Sequence, residues 1–293
     1  MELAARLEII AAQTDALLAT LLPPADDEPA ELHEAIRYAA LGSGKRLRPA
    51  LVRLSAEAVG DGGGAVQRAG CAVELIHAFS LVHDDLPALD DDDLRRGRPT
   101  VHRRYGEAVA ILAGDALFAL AFGVVGDLEA PPERVVRVLR ELARATGPAG
   151  LVGGEATDIL SEGVEVDRET LEQIHARKTG ALIAGACAIG AILGGGTEDE
   201  IEALREYGCK VGLAFQIADD ILGATRTREE LGKSSRDGER GKATYPAHFG
   251  VDASRAMGRA LADEASAALP AGLADEPRTL LVALARHAVE RLR

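Results

Sequence analysis

Residues 71–97, CAVELIHAFSLVHDDLPALDDDDLRRG, join a strongly apolar stretch directly to an acidic run. Apolar side chains recur at helical spacing as far as Val82, and Asp84 and Asp85 follow within one turn. Six carboxylates fall within ten residues, where they repel one another unless cations neutralise them. Most runs of charge are solvated loops, but these aspartates continue a helix that is apolar enough to be buried. The stretch therefore predicts a core helix that delivers carboxylates to the interior of a helical protein.

The rest of the chain also has the features of helices. Alanine, the strongest helix former, dominates the apolar residues, which recur every three or four positions. Alternating runs typical of strands are essentially absent, and there is no Asn for an Asn-Gly hairpin turn. No long linker or repeat of fixed period interrupts the pattern, so we expect residues 1–293 to form one all-α domain, a large helical bundle. Helices are predicted near residues 3–21, 29–41, 48–60, 65–86, 106–127, 131–147, 148–162, 168–194, 197–223, 251–269 and 275–292.

The composition excludes several classes of protein. The 47 acidic residues outnumber the 33 basic ones, and the net charge of −14 argues against nucleic-acid binding. No uninterrupted apolar run reaches the ~18 residues of a membrane-spanning helix. The opening MELAARLEII has an early acid and no small-residue cleavage site, so no secretory signal is expected. The three cysteines are widely spaced in apolar stretches, as in a reducing compartment, and we expect a cytoplasmic protein.

A second acidic pair lies inside the apolar segment FQIADDILG, residues 215–223. An isolated ionised carboxylate is costly in such a segment, and this segment alone is equally consistent with a binding site and with a helix in which Asp219 or Asp220 is a locally hydrogen-bonded acid. Gln216 lies one turn before Asp219 on the same helix face. Considered with the first cluster, however, carboxylates from two helices would face each other across the bundle. Oxygen donors without His or Cys favour Mg²⁺, so the two clusters together predict a Mg²⁺ site.

Basic residues are concentrated in short segments, which contain four of only five lysines in the chain. Each segment alone is more often surface charge than a binding site. The GSGK of residues 42–45 is not a phosphate loop, because Ala39 and Arg46 replace residues that this motif requires. Beside carboxylates that bind Mg²⁺, the cations predict a ligand with several phosphate charges. The segments are GKRLRP (44–49), RR (95–96), RKTG (177–180), GK (232–233) and GKATYP (241–246).

In this order, the motifs resemble those of the trans-isoprenyl diphosphate synthases of the polyprenyl synthetase family, and most of all those of short-chain bacterial farnesyl or geranylgeranyl diphosphate synthases. The resemblance spans nearly the whole chain, through GKRLRP, HDDLPALDDDDLRRGRPT, GGEATD at 153–158, RKTG, FQIADDIL and GKATYP. It implies an isoprenoid synthase bundle with a central active-site cavity. The implied reaction condenses isopentenyl diphosphate with an allylic diphosphate, dimethylallyl or geranyl. Three Mg²⁺ ions per active site and a homodimer are also implied.

The same resemblance implies roles for individual residues. Asp84, Asp90 and Asp219 would bind Mg²⁺, with Asp85 as an adjacent possibility. The residues implied to hold isopentenyl diphosphate are Lys45, Arg48, His77 and Arg96. The allylic diphosphate would lie among Arg95 and the catalytic residues Lys178, Thr179, Gln216 and Lys233, with Lys242 nearby. Without the resemblance, His77 would be interpreted as a core histidine.

Side chains just before the first acidic motif are expected to set the product length. Phe79 and Ser80 lie five and four residues before Asp84, about one helical turn deeper. A bulky aromatic there resembles farnesyl-producing members, since its ring would block the growing tail, although Phe79 could equally be ordinary core. We expect farnesyl diphosphate as the product, with geranylgeranyl diphosphate as the alternative.

Two positions depart from the family pattern. Gly223 occupies the place of the third aspartate of the second motif, one turn after Asp219, and Glu155 stands where Gln is common. A catalytically weak partner subunit is therefore a further alternative, against which the retention of Lys178 and Lys233 argues. A terpene cyclase is disfavoured, because its usual second metal motif requires Asn and this chain has none.

Overall fold

The computed structural model describes residues 2–164, 166–227 and 243–290, and these residues are almost entirely helical. The helices are α1 (Leu3–Leu21), α2 (Ala30–Ala40), α3 (Leu47–Val59), α4 (Gly63–Asp84), α5 (Val101–Tyr105), α6 (Glu107–Gly126), α7 (Pro132–Thr146), α8 (Leu151–Leu160), α9 (Arg168–His175), α10 (Ala181–Gly194), α11 (Glu198–Thr225), α12 (Tyr245–Phe249), α13 (Val251–Ala268) and α14 (Asp275–Glu290). A π-helical turn (Ala176–Gly180) joins α9 to α10. Two-residue strands β1 (Leu94–Arg95) and β2 (Arg98–Pro99) form an antiparallel hairpin. The all-α prediction is confirmed.

Helices α4 and α10 form the centre of the bundle. Helix α10 packs against α3, α7 and α11, while α4 packs against α3 and α6. Nearly every residue of α10 is buried, as expected for a helix that is apolar on all sides. Gly190 lets α10 approach α3, since a Cβ there would collide with the carbonyl oxygen of Val52. Buried apolar side chains from α1 to α14 form one continuous core, which supports our proposal that the chain is a single domain.

The observed helices follow the predicted ones to within a few residues, with one interruption and two short helices, α5 and α12, that the periodicity did not predict. Gly106, where the predicted 106–127 helix begins, has a φ of +85° and separates α5 from α6. The π-helical turn divides the predicted 168–194 helix. Such turns are frequently found at functional sites, and this one carries Lys178 and Thr179.

Two helical stretches of the described residues are long and apolar enough to cross a membrane, judged by length and composition alone. Arg168–Gly194 is 72% buried inside the protein, as a core helix of a bundle is. Glu107–Gly126, which is α6, is only 39% buried and exposes large apolar side chains. The expectation that no segment reaches the length of a membrane span therefore did not anticipate these two stretches.

Candidate active site

A cavity of about 740 Å³ opens at the centre of the bundle, where α4, α8, the π-helical turn and α11 meet. Most of the site residues predicted from the sequence line it, namely Lys45, Arg48, His77, Ser80, Asp84, Asp90, Arg95, Arg96, Lys178, Thr179, Gln216 and Asp219. Phe79 is not among the lining residues. Lys233 and Lys242 lie outside the described residues.

Helix α4 brings the first acidic motif to one wall of this cavity. Asp84 is the last residue of the helix, and its carbonyl accepts a 2.7 Å hydrogen bond from the backbone N–H of Asp90, which fixes the loop that follows. Arg95 Nε donates to both carboxylate oxygens of Asp85, at 2.8 and 2.9 Å, so Asp85 is held by the β-hairpin. Burial and the negative charge of Glu155 raise the pKa of Asp84 to about 7. A bound divalent cation would favour its charged form.

Lys178 lies on the facing wall between two carboxylates of α8. Its Nζ is 2.6 Å from Glu155 Oε2 and 2.7 Å from Asp158 Oδ2. Gly154 permits this approach, because a Cβ there would collide with the Lys178 backbone. Burial alone would lower the pKa of Lys178, but the charges of Asp158 and Glu155 outweigh it and raise that pKa, so the ammonium stays protonated. The lysine is thus a fixed positive charge at the cavity.

A chain of hydrogen bonds holds the second acidic motif in position. The Thr179 hydroxyl donates to Gln216 Oε1 at 2.7 Å, and Gln216 Nε2 donates to Asp220 Oδ1 at 2.9 Å. Asp220 Oδ2 accepts from the backbone N–H of Tyr245 at 3.0 Å. Both aspartates line the cavity, but Asp220 is buried and its hydrogen bond to Tyr245 connects α11 to α12. The two adjacent aspartates therefore have different surroundings.

Arg46, which the sequence did not single out, anchors the end of the cavity that Lys45 and Arg48 line. Arg46 is buried and has a left-handed φ of +47°. Its guanidinium donates to Asp15 Oδ1 at 2.7 Å, Glu74 Oε1 at 2.8 Å, and the carbonyl oxygens of Ala40 (3.0 Å) and Gly42 (2.8 Å). These bonds fix the turn between α2 and α3.

That turn presents two of the predicted phosphate-binding residues, Lys45 and Arg48, to the cavity. His77 lies beside them on α4. Burial, together with the charges of Arg48 and Arg96, lowers the pKa of His77 well below its usual range. The imidazole is therefore neutral at pH 7, and the positive charge on this side comes from Lys and Arg.

The carboxylates that line the cavity fit Mg²⁺. No three His, Cys, Asp or Glu side chains within the described ranges are gathered into a ready-made ion cage. Asp84 and Asp90 lie on one wall and Asp219 on another. Mg²⁺ usually keeps several waters and is bound through one or two carboxylates plus substrate phosphates, so separated carboxylates around a phosphate-sized space suit it.

A family model described as Polyprenyl synthetase matches residues 29–268. The chain belongs to this family. Heterodimeric geranylgeranyl pyrophosphate synthase large subunit 2 of Arabidopsis thaliana is 48% identical to this polyprenyl synthetase over 90% of the chain and 71% of the relative. Geranylgeranyl pyrophosphate synthase 11, chloroplastic, of the same plant is 48% identical over 89% and 74%. The resemblance inferred from the motifs is confirmed, and the protein is a prenyltransferase.

Solved structures agree with the isoprenyl synthase fold. The apo FPP/GFPP synthase of Zymomonas mobilis has a TM-score of 0.89 with this polyprenyl synthetase, at 38% identity and 98% coverage of both chains. A geranyltransferase of Helicobacter pylori, complexed with magnesium and isoprenyl diphosphate, has a TM-score of 0.82 at 27% identity, covering 97% of this chain and 96% of that one.

One expectation is corrected by these relatives. The cytoplasmic location expected from the cysteines and the N-terminal sequence is wrong by this comparison, because geranylgeranyl pyrophosphate synthases 11 and 12 of Arabidopsis, 48% and 47% identical to this chain, are chloroplastic. Buried thiols indicate a reducing environment, and the cytosol is only one of several such compartments.

Proposed function

We propose that this polyprenyl synthetase condenses isopentenyl diphosphate with an allylic diphosphate, and that its main product is geranylgeranyl diphosphate. The observation that carries the reaction is the cavity itself, where carboxylates from two helices face cations from three other segments. Such an arrangement suits two diphosphates, one of them bound through Mg²⁺. The C20 product is supported by the names of the Arabidopsis relatives.

The allylic diphosphate would lie between the carboxylate walls and Lys178. In this proposal, Asp84, Asp90 and Asp219 would hold Mg²⁺, three ions by the family resemblance, and the bound metal would supply positive charge that stabilises the departing diphosphate. Lys178 contributes its fixed charge beside them, and Arg95 does so from the hairpin, where Asp85 orients it. Asp85 is thereby a positioning residue for Arg95. Lys233 and Lys242 keep their sequence-based assignment to this diphosphate.

Isopentenyl diphosphate would bind on the opposite side, among Lys45, Arg48, Arg96 and His77. Three of these are cations, and forked guanidinium groups match the geometry of phosphate oxygens. The neutral imidazole of His77 can donate one hydrogen bond to an oxygen of the diphosphate without adding charge. The substrate is thus oriented with its double bond toward the allylic carbon.

The reaction breaks the allylic C–O bond, and the electron pair leaves with the diphosphate. The double bond of isopentenyl diphosphate attacks the allylic carbon to form a new C–C bond, and a proton then passes from the adjacent carbon to the released diphosphate. The Thr179 oxygen, fixed by Gln216, keeps an electron pair that can stabilise positive charge nearby. Apolar residues that line the cavity keep water from the cation, namely Leu47, Leu81, Leu151, Ile183, Phe215 and Leu222.

Farnesyl diphosphate is the second candidate product, favoured by the aromatic residue before the first motif. Phe79 is buried, and its ring packs edge-on against His83 and Phe118, at centroid distances of 4.9 and 5.3 Å. Its neighbour Ser80 lines the cavity. The Phe79 ring therefore packs behind the part of the cavity wall that Ser80 forms.

The reaction and its product length are tested together by incubating the protein with Mg²⁺, isopentenyl diphosphate and each allylic primer, and then sizing the products. Absence of Mg²⁺-dependent condensation contradicts the proposal.

Phe79→Ala is expected to shift the products toward longer chains by at least one C5 unit. Removing the ring leaves space beside Ser80 and Phe118, into which a longer tail can extend. Mass spectrometry of the extracted products measures the shift. Phe249→Ala removes a ring that packs on Tyr245 and His248 and should leave the distribution unchanged. An unchanged distribution in Phe79→Ala would contradict this role.

We also propose that the exposed face of α6 associates with a second copy of the chain. Ile111, Leu112 and Phe118 on this helix are 45%, 55% and 36% exposed, and Asp115 lies among them. A large apolar surface rimmed by polar residues is typical of a protein interface. Asp115 at mid-helix makes the same face unsuitable for a lipid interior. One Arabidopsis relative is a heterodimer subunit, so the second chain could also differ from the first.

Leu112→Glu is expected to convert a homodimer into a monomer at the same loading concentration, because it places a charge in the apolar contact. Size-exclusion chromatography with light scattering measures the mass. Val136→Glu, at an apolar residue of α7 that is 45% exposed compared with 55% for Leu112, serves as a control and should remain dimeric. A monomeric wild type would overturn the homodimer proposal.

A further inference from the structure

The second acidic motif supplies few carboxylates to the cavity. On α11, Asp219 and Asp220 both line the cavity, but Asp220 is buried and each of its carboxylate oxygens already accepts a hydrogen bond, one from Gln216 and one from the Tyr245 backbone. One turn after Asp219, Gly223 also lines the cavity and contributes no side chain. A cavity that binds several divalent cations needs negative charge from its walls to hold them.

Helix α8 supplies a further carboxylate to the same cavity. Glu155 is 8% exposed and lines the same cavity. Its Oε2 contacts Lys178 at 2.6 Å, while its buried Oε1 has no hydrogen-bond partner. A buried carboxylate oxygen without a donor is costly, and a metal-bound water or an ion is the kind of group that would satisfy it.

Glu155 leaves a net negative charge around Lys178 at the cavity. Lys178 already has a carboxylate partner in Asp158, so Glu155 makes the trio of Lys178, Asp158 and Glu155 net negative. Glutamine at position 155 would leave this trio neutral.

We infer that Glu155 is a further anionic residue of the metal–diphosphate centre, which supplies from α8 the negative charge that Gly223 does not supply from α11. The inference rests on the proposed function, since it concerns the same Mg²⁺ site. Glu155 acts either on a metal-bound water or through its charge on the ions near Asp84. In both cases, a carboxylate restored at position 223 should compensate for its loss.

The test is metal binding by four proteins: wild type, Glu155→Gln, Gly223→Asp and the double variant. Free Mn²⁺ is measured by electron paramagnetic resonance during titration, in the presence of a thiolo analogue of dimethylallyl diphosphate that does not react. Glu155→Gln is expected to weaken Mn²⁺ binding about tenfold, as loss of an outer-shell partner does. Gly223→Asp should strengthen binding, and the double variant should return to within about twofold of wild type. Glu129→Gln, which removes an exposed carboxylate outside the cavity, should bind Mn²⁺ as wild type does.

Other outcomes overturn the inference. Unchanged or tighter Mn²⁺ binding by Glu155→Gln would mean that Glu155 serves only to neutralise Lys178. If Glu155→Gln binds Mn²⁺ weakly and the added Gly223→Asp substitution does not restore binding, Glu155 has a local structural role instead. Circular dichroism of each variant establishes that it is folded. If Gly223→Asp does not fold, Mn²⁺ binding by Glu155→Gln, which keeps the side-chain shape, decides between the outcomes. Condensation by the wild type is assayed separately, so that failure of the proposed function is distinguishable from failure of this inference.

Discussion

Asp84→Asn is expected to lower kcat by about 1000-fold at saturating substrates and Mg²⁺. The substitution keeps the shape of the side chain but removes a charge at the cavity, where Asp84 ends α4. Loss of about 4 kcal/mol of transition-state stabilisation corresponds to that factor, and metal ions contribute several kcal/mol to the departure of a phosphate leaving group. Steady-state assays with isopentenyl diphosphate and geranyl diphosphate measure the fall.

The acidic run provides its own control for this experiment. Asp91 lies seven residues later, is exposed, and has a left-handed φ of +49°, a conformation that Asn also adopts readily. It does not line the cavity. Asp91→Asn removes the same charge from the same acidic run and should retain wild-type kcat to within about twofold. Activity of Asp84→Asn within tenfold of wild type would contradict the assignment of Asp84 to the metal.

The difference between Asp84 and Asp91 illustrates what the sequence can predict. Apolar periodicity predicted the helices because each of them has to bury a face, and motif order predicted which segments approach the cavity. Spacing gives the depth of a residue along a helix but not the rotation of that helix. Phe79 and Ser80 differ by about 100° around α4, and packing against Phe118 of α6 selects Ser80 as the residue that lines the cavity.

Contacts between distant segments were the second kind of feature that the sequence did not predict. Arg46 stands in a basic run whose members all look alike in the sequence. Its partner Glu74 is 28 residues away, inside an apolar helix, and only the fold brings the two together at 2.8 Å. The same holds for Lys178, whose carboxylate partners on α8 are 20 and 23 residues earlier. Buried ion pairs depend on tertiary geometry, which local patterns do not encode.

Arg46→Ala is expected to lower the free energy of unfolding by about 3–5 kcal/mol, because it leaves Glu74 buried without its cation. Urea denaturation followed by circular dichroism measures the change. Arg53→Ala, on α3, is the matched control: Arg53 pairs with Glu57, both partners are partly exposed, and its loss should cost less than about 1 kcal/mol.

Arg46→Ala should also change KM for one of the two substrates much more than KM for the other. Arg46 fixes the turn that presents Lys45 and Arg48, whereas Lys178 and Asp84 are held by other elements. At a temperature where Arg46→Ala remains folded, KM for isopentenyl diphosphate should therefore rise about tenfold or more, since a loosened turn loses preorganisation, while KM for the allylic diphosphate stays near that of wild type. Arg46→Lys keeps a charge beside Glu74 but cannot bond Asp15, Ala40 and Gly42 at once. Its KM for isopentenyl diphosphate should therefore lie between those of wild type and Arg46→Ala. Equal increases in both KM values would show that the turn acts on the whole cavity rather than on the isopentenyl side.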